Sequence, residues 1–249
     1  MNPIYESLLS RKSVRVFEKR AVPDSIKEAV LNAAFQAPTA GNQMLYSIID
    51  VTEENLKKKL SVTCDNQNFI AEAPIALIFL ADSRRWLDAY EEAGLTARKP
   101  GAGDLLLSIQ DAVIAAQNAV VAAESFGLGS CYIGDILENV EAVRKLLELD
   151  AYVVPVTMLV LGYPTDQQKV RKKPERFEKA YIVHENRYRR LALSDHREMF
   201  EKRAGQADFD YDEYMRKFCE RKYMSEFSLE MTRSSKVYLK AFLDEPEEE

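Results

Sequence analysis

The sequence predicts an α+β fold in which helices surround a sheet, with one long helix at its centre. Three observations carry this. Residues 104–126 run without proline or glycine, enough for about 34 Å of helix. Their apolar residues wrap more than halfway round, so burial on most sides is expected, and Ala112, Ala115, Ala116, Ala119, Ala122 and Ala123 keep the helix thin. Two continuous apolar runs, 75–81 and 152–162, read as strands from the middle of a sheet covered on both faces. Amphipathic segments of helical period separate and follow these strands.

Taken in order, residues 2–10 form a short helix. Asn2 caps it, Pro3 takes its first position, and Ile4, Leu8 and Leu9 face inward. Residues 13–17 alternate like a strand, with Arg11, Ser13, Arg15 and Phe17 on one side and Val14 and Val16 on the other. A helix from Asp24 through Phe35 places Ile26, Val30, Leu31 and Ala34 for burial. It breaks at the small polar loop APTAGNQ, residues 37–43. Residues 47–51 read as a strand and 53–62 as an amphipathic helix. The stretch DNQNF at 65–69 has no hydrophobic period but clusters side-chain amides. After the first apolar strand, residues 82–93 return to helix, and the loop 94–103 is placed to act as a lid. The long helix starts with Asp104 behind Gly101 and Gly103. It stops at Gly127 and Gly129, because glycine takes the left-handed cap without a Cβ clash. Residues 130–133 form a short strand, and Gly134 leaves room against the backbone. Residues 139–149 are helical with the charges from Glu138 to Arg144 outward, and the second apolar strand follows. Residues 164–179 are charged and non-periodic, and 182–186 are short and extended.

From about Arg189 the chain is helical, charged and aromatic, without a core of its own size. The expected organisation is therefore a core over residues 1–190 and a helical extension over 191–244 that packs on the core or on a partner subunit. An acidic tail, 245–249, is expected to be disordered.

Composition narrows the function. A net charge of −6 makes nucleic acid an unexpected partner. No charged-then-apolar leader and no apolar run long enough to span a bilayer are read, so a cytoplasmic location is expected, with no membrane partner. Cys64, Cys131 and Cys219 are far apart and odd in number, which suits a reducing compartment. The two histidines, His184 and His196, lie in no HExxH and beside no GxSxG, so neither a metal centre nor a Ser-His-Asp triad is expected. No GxGxxG joins a strand to a helix and no GxxxxGK[ST] is present. A chain this poor in its own catalytic groups, if an enzyme, relies on a cofactor. Arg11, Ser13 and Arg15 suit a phosphate, since arginine offers a planar fork of donors. They equally suit an exposed basic edge with local ion pairs. The basic run Lys169 to Lys179 reads either as a solvated linker or as a phosphate contact.

Taken together, RKSVRVF at 11–17, APTAGNQ at 37–43, DNQNF at 65–69 and AAQNAVVAAESFGLGSCYIGDI at 115–136 resemble the FMN-dependent nitroreductase family. LVLGYP at 159–164, KKPERF at 172–177 and IVHENRY at 182–188 extend the resemblance over nearly the whole chain. The branch most resembled is that of the NADPH-preferring oxygen-insensitive nitroreductases and flavin reductases. The resemblance implies an α+β sandwich, with helices around a central, mostly antiparallel sheet. It also implies an intertwined homodimer with a C-terminal helical extension and FMN at the subunit interface. By the same resemblance Arg11, Lys12, Ser13 and Arg15 hold the FMN phosphate and flavin edge. Thr39, Asn42 and Gln43 contact the flavin, and Gln67, Asn68 and Phe69 reach its ring. Tyr132, Ile133 and Gly134 pack against the ring, and Lys173 and Arg176 return to the phosphate. Relatives tend to read KPR where Glu175 intervenes here, which leaves Arg171 as the alternative contact. The implied activity is ping-pong hydride transfer from NADPH or NADH via FMN to nitroaromatics, quinones or free flavin, with no catalytic side chain and no metal. Arg221, Lys222 and Arg233 are the candidate cations for the donor's 2′-phosphate. The alternative function is flavin binding or storage without reductase turnover.

Overall fold

The two apolar runs become the inner strands of a four-stranded antiparallel sheet. Its strands are β1 (Tyr46–Asp50), β2 (Ile75–Asp82), β3 (Gly129–Ile133) and β4 (Val153–Gly162), in the order β1-β2-β4-β3. Every residue of β2 is buried. Its alternation is hidden because both faces are covered: Ile75, Leu77 and Phe79 enter one core, and Ala76, Ile78 and Leu80 enter the other. Pro155 sits inside β4, where it has no N–H to give the ladder, and the pairing with β2 shifts by one residue beside it.

The computed structural model describes residues 2–243. Its helices are α1 (Pro3–Ser10), α2 (Asp24–Phe35), α3 (Glu54–Thr63), α4 (Asn68–Glu72), α5 (Arg84–Glu92), α6 (Ala102–Ser125), α7 (Val140–Leu147), α8 (Asp166–Val170), α9 (Leu193–Ala204), α10 (Tyr211–Lys222) and α11 (Glu226–Leu243). Helices α2 and α6 cover one face of the sheet, through Val30, Ala34 and the alanines of α6. Helices α3, α4 and α7 cover the other, through Leu60, Ile70 and Val143. A third cluster joins Tyr238 and Phe242 of α11 to Leu105, Val140 and Val154.

The residues form two compact units, one of residues up to 171 together with those from 230 onward, the other of residues 172–229. The helical extension expected from residue 191 is thus shared between the units. In the second unit Phe177, Tyr211 and Tyr214 gather around Phe200, while the later part of α11 belongs to the first. The acidic tail expected at 245–249 lies outside the described residues.

Three local expectations are corrected. Asn2 caps α1 as expected, accepting from the Ile4 N–H at 2.9 Å, but Ile4, Leu8 and Leu9 are exposed rather than inward. Glu138, expected outside, is 5% exposed. Helix α6 buries its alanine stripe, yet leaves Leu106, Leu107, Val113 and Ile114 exposed. It is also long and apolar enough to cross a membrane by length and composition, contrary to the expectation that no such run exists. Packed on the sheet with Ser108 and Asp111 buried in its inner face, it serves this fold as a core helix.

Candidate functional site

The site begins where α6 stops. Gly127 has φ +75°, and the Leu128 N–H reaches back to the Ala123 carbonyl at 3.0 Å, a left-handed glycine stop. Gly129 then opens β3. A Cβ on Gly129 would lie 2.5 Å from a Val14 methyl carbon, so the absence of a side chain is what lets the 11–17 segment lie against the strand. The Val14 N–H donates to the Ser130 carbonyl at 2.8 Å, and Ser13 bridges Ser130 in parallel. The segment pairs only at Ser13 and Phe17, less than the strand its alternation suggested.

This approach brings Arg11 beside β3. Its guanidinium donates to Ser130 Oγ at 3.3 Å, lies 3.8 Å from Glu124, and sits 5.6 Å from the centre of the Tyr132 ring. Arg11 Nε is buried without a hydrogen-bond partner among the described residues. Tyr132 donates its hydroxyl to Gln117 Oε1 at 3.1 Å. Burial pushes its phenol up to about 12, against the pull of Arg11. Ile133 is committed to the core, whereas Gly134 is exposed, and a Cβ there would meet no atom within 4 Å. Arg15 is exposed, with its guanidinium 5.9 Å from the Phe69 ring and its N–H donating to Gln168 Oε1 at 3.3 Å. Gln67 leads into α4 and donates its side-chain amide to the Cys64 carbonyl at 2.9 Å; Asn68 is exposed. Cys131 is buried, and burial raises its thiol above the ordinary value, although Arg15 and Arg11 act the other way.

Lys12 is occupied: its ammonium donates to the carbonyls of Lys169 at 2.6 Å and Arg171 at 2.5 Å. Arg171 in turn donates to the Ser13 carbonyl, so Arg171 is the basic residue of its loop that reaches this cluster. Lys173 and Arg176 belong to the second unit, as do Arg221 and Lys222 in the last turn of α10. Arg221 lies 5.4 Å from the Phe218 ring and Lys222 5.9 Å from the Phe227 ring. Arg233 is gripped by Glu141 at 2.8 Å and by Glu230 at 2.7 Å, and both carboxyls fall to about 2, chiefly through their hydrogen bonds to Arg233.

The 37–43 loop has a separate anchor. Asp111, only 2% exposed, accepts from the Thr39 hydroxyl, from the Ala40 N–H at 2.9 Å and from the Leu45 N–H at 3.1 Å. Thr39 therefore holds the loop together, accepting in turn from the Met44 N–H at 2.8 Å. Gln43 and exposed Asn42 form its outer end, with the Trp86 indole donating to the Gln43 carbonyl at 2.9 Å. Asp111 and Glu124 are thirteen positions apart on α6, about 20 Å along the helix axis. The loop and the Arg11 cluster thus stand well apart within one chain. Sequence reasoning passed over Asp111, Glu124, Ser130 and Gln117. The visible signal for Asp111 was a carboxylate in register with the alanine stripe, a position where a charge needs built-in partners.

A family model described as "Nitroreductase family" matches residues 8–163. An oxygen-insensitive NADPH nitroreductase of Salmonella typhimurium is 37% identical over 191 residues, covering 77% of each chain. Among solved structures, NfrA2 of B. megaterium superposes with a TM-score of 0.81 at 30% identity, over 99% of this chain and 100% of the other. An NADPH:FMN oxidoreductase from Vibrio harveyi, complexed with NAD+, does so with a TM-score of 0.79 at 25% identity, over 96% and 98%.

Proposed function

This chain belongs to the nitroreductase family, and from that premise we propose that it is an FMN-dependent NAD(P)H oxidoreductase reducing nitroaromatics, quinones or free flavin. The observation that carries the reading is the cluster of Arg11, Ser130, Tyr132 and Gly134. Arg11 has a buried Nε without a hydrogen-bond partner among the described residues, Arg15 is exposed, and the backbone at Gly134 is open. Those features suit a phosphate at one end and a flat ring at the other. When bound, FMN supplies the two-electron chemistry that these side chains lack.

The chain's own part is placement and electrostatics. Arg11, Ser13 and Arg15 hold the phosphate, with Lys12 and Arg171 fixing the backbone between them. Gln67, Asn68 and the amide of Gly134 supply donors for the ring edge that gains negative charge, where fixed dipoles act most strongly. No side chain is assigned as acid or base. Cys131 takes no redox role, because its buried thiol stays protonated at neutral pH. Donor and acceptor use the site in turn, which is the ping-pong order. Arg221 and Lys222 are the proposed contacts for a 2′-phosphate. Arg233 is a separate candidate, its guanidinium held by Glu141 and Glu230.

The working unit is a homodimer. Ile4, Tyr5, Leu8 and Leu9 on α1, with Leu106, Val113 and Ile114 on α6, form exposed apolar faces of the kind that mark an interface. The separation of about 20 Å between the Thr39 loop and the Arg11 cluster supports the same reading, with the loop serving the partner's flavin. The three unpaired cysteines suit a cytoplasmic location.

The test is a visible spectrum of the purified protein before and after anaerobic NADPH. A flavin spectrum that bleaches is the expected result. A flavin spectrum that neither NADPH nor NADH bleaches favours flavin storage. A colourless protein that takes up no added FMN refutes the site.

A further inference from the structure

Glu124 stands where a helix tolerates a carboxylate least. It lies in the last turn of α6, a turn with no basic residue of its own, and the helix dipole there favours cations over anions. Its side chain is only 15% exposed. What compensates it comes from the start of the chain. The Ser7 hydroxyl donates to Glu124 Oε2 at 2.7 Å, which fixes the carboxylate, and Arg11 Nε lies 3.8 Å from Oε1. Arg11 is the residue that ends α1, its backbone N–H donating to the Ser7 carbonyl at 2.9 Å. The rest of its guanidinium is divided. Nη2 donates to the Ser130 hydroxyl at 3.3 Å, and Nη1 makes no hydrogen bond among the described residues.

We propose that Glu124 is a positioning residue, which holds the Arg11 guanidinium in place before the flavin phosphate arrives. The proposal rests on the reading of Arg11 as a phosphate contact. Its physical basis is the cost of a largely buried cation. The Arg11 side chain is 18% exposed, and a cation so placed needs a counter-charge when no ligand supplies one. Glu124 is the one carboxylate within ion-pair distance of Arg11 among the described residues. Without it Arg11 is free to leave for solvent. Flavin binding must then recover it, and the affinity falls with the fraction of molecules that hold the ready conformer. The 3.8 Å separation is too long for a hydrogen bond. The charge is therefore balanced while the donors stay available to a phosphate. Arg233 shows the other arrangement, with its donors taken up by Glu141 and Glu230.

The test uses the flavin-loaded, full-length protein. It is diluted serially and the released flavin is read by its fluorescence, once with FMN and once after exchange for riboflavin, which lacks the phosphate. Glu124→Gln keeps an acceptor for Ser7 and removes the charge. It should weaken FMN binding roughly tenfold, within the range of coupling between residues in contact, and riboflavin binding by less than about twofold. In an Arg11→Ala background it should change neither. Equal losses of both flavins overturn the proposal, because they mark a general structural role. Unchanged or tighter FMN binding overturns it, because Glu124 would then screen Arg11 rather than hold it. A loss of FMN that persists in the Arg11→Ala background overturns it, because the effect would not pass through Arg11. A wild type that holds no flavin, or that holds riboflavin as tightly as FMN, fails the reading of the phosphate site and the proposal with it. A wild type that prefers FMN, beside a variant that behaves in any of the three overturning ways, fails the proposal alone.

Discussion

Glu138→Gln should stabilise this protein at alkaline pH and do little at acid pH. Glu138 is 5% exposed and its Oε1 has no hydrogen-bond partner among the described residues. Burial pushes its carboxyl up from 4.5 to about 7, and the neighbouring carboxylates Asp135, Asp65 and Glu230 push the same way. Between those two values the folded protein binds a proton that the unfolded chain releases, so stability falls as pH rises. The contribution is complete below 4.5, declines through the interval, and is gone above about 7. At about 1.4 kcal/mol per pH unit, the interval sets a ceiling of about 3 kcal/mol. For a chain of this size that corresponds to roughly 6–12 °C in Tm. The assay is thermal unfolding of wild type and Glu138→Gln at several pH values from 5 to 8. The variant should melt higher at pH 8, and the two curves should converge toward pH 5. A variant less stable at pH 8, or a gap that does not change with pH, would refute the reasoning and mean that the carboxylate is compensated.

Arg15→Ala should lower FMN occupancy, read as flavin absorbance per protein; a fully yellow variant with unchanged FMN affinity would sink the role given to Arg15. Gly129→Ala forces a Cβ against Val14 and should cost about 1–3 kcal/mol, as overpacking does, with loss of flavin as the 11–17 segment is displaced; denaturant melts and absorbance check both. Asp111→Ala strands the Thr39, Ala40 and Leu45 donors and should destabilise by about 3 kcal/mol, and hydrogen exchange should rise first at residues 39–45. Deletion of everything after Arg189 removes Tyr238 and Phe242 from the third core cluster and should abolish the stable dimer; gel filtration showing a flavin-loaded dimer would contradict this.

The strands and helices were legible because each carries its own signal. Residues 75–81 could only be an inner strand, and Gly127 could only end a helix of that length. What the sequence hid was the environment of each face. Leu8 and Leu106 have the same spacing as core residues, yet they are exposed, because an apolar period does not record what covers the face that carries it. Glu138 has the polarity of a surface residue, yet it is buried at the end of the turn after β3. Such outcomes depend on which elements meet, and no local pattern records that.

The same division runs through the site. Arg11, Ser13 and Arg15 point to a phosphate by their chemistry, and Tyr132 to a flat ring through the family resemblance. Their wiring was not legible. Lys12 has the charge of a phosphate ligand, but two carbonyls satisfy it. Thr39 has the hydroxyl of a ligand contact, but it braces its own loop on Asp111. Arg233 has the fork of a 2′-phosphate clamp, but two glutamates hold it. In each case a polar side chain close to the expected ligand also stood close to a partner in the chain, and the nearer partner took it. Helix α6 settles which groups work together, because it sets Asp104, Asp111 and Glu124 at fixed intervals along one rigid axis. It separates the Thr39 loop from the Arg11 cluster by about 20 Å, a distance that no side chain crosses. A flavin that touches both the loop and the arginines must therefore draw them from two chains, and the apolar face left open on α6 is where the second chain would lie.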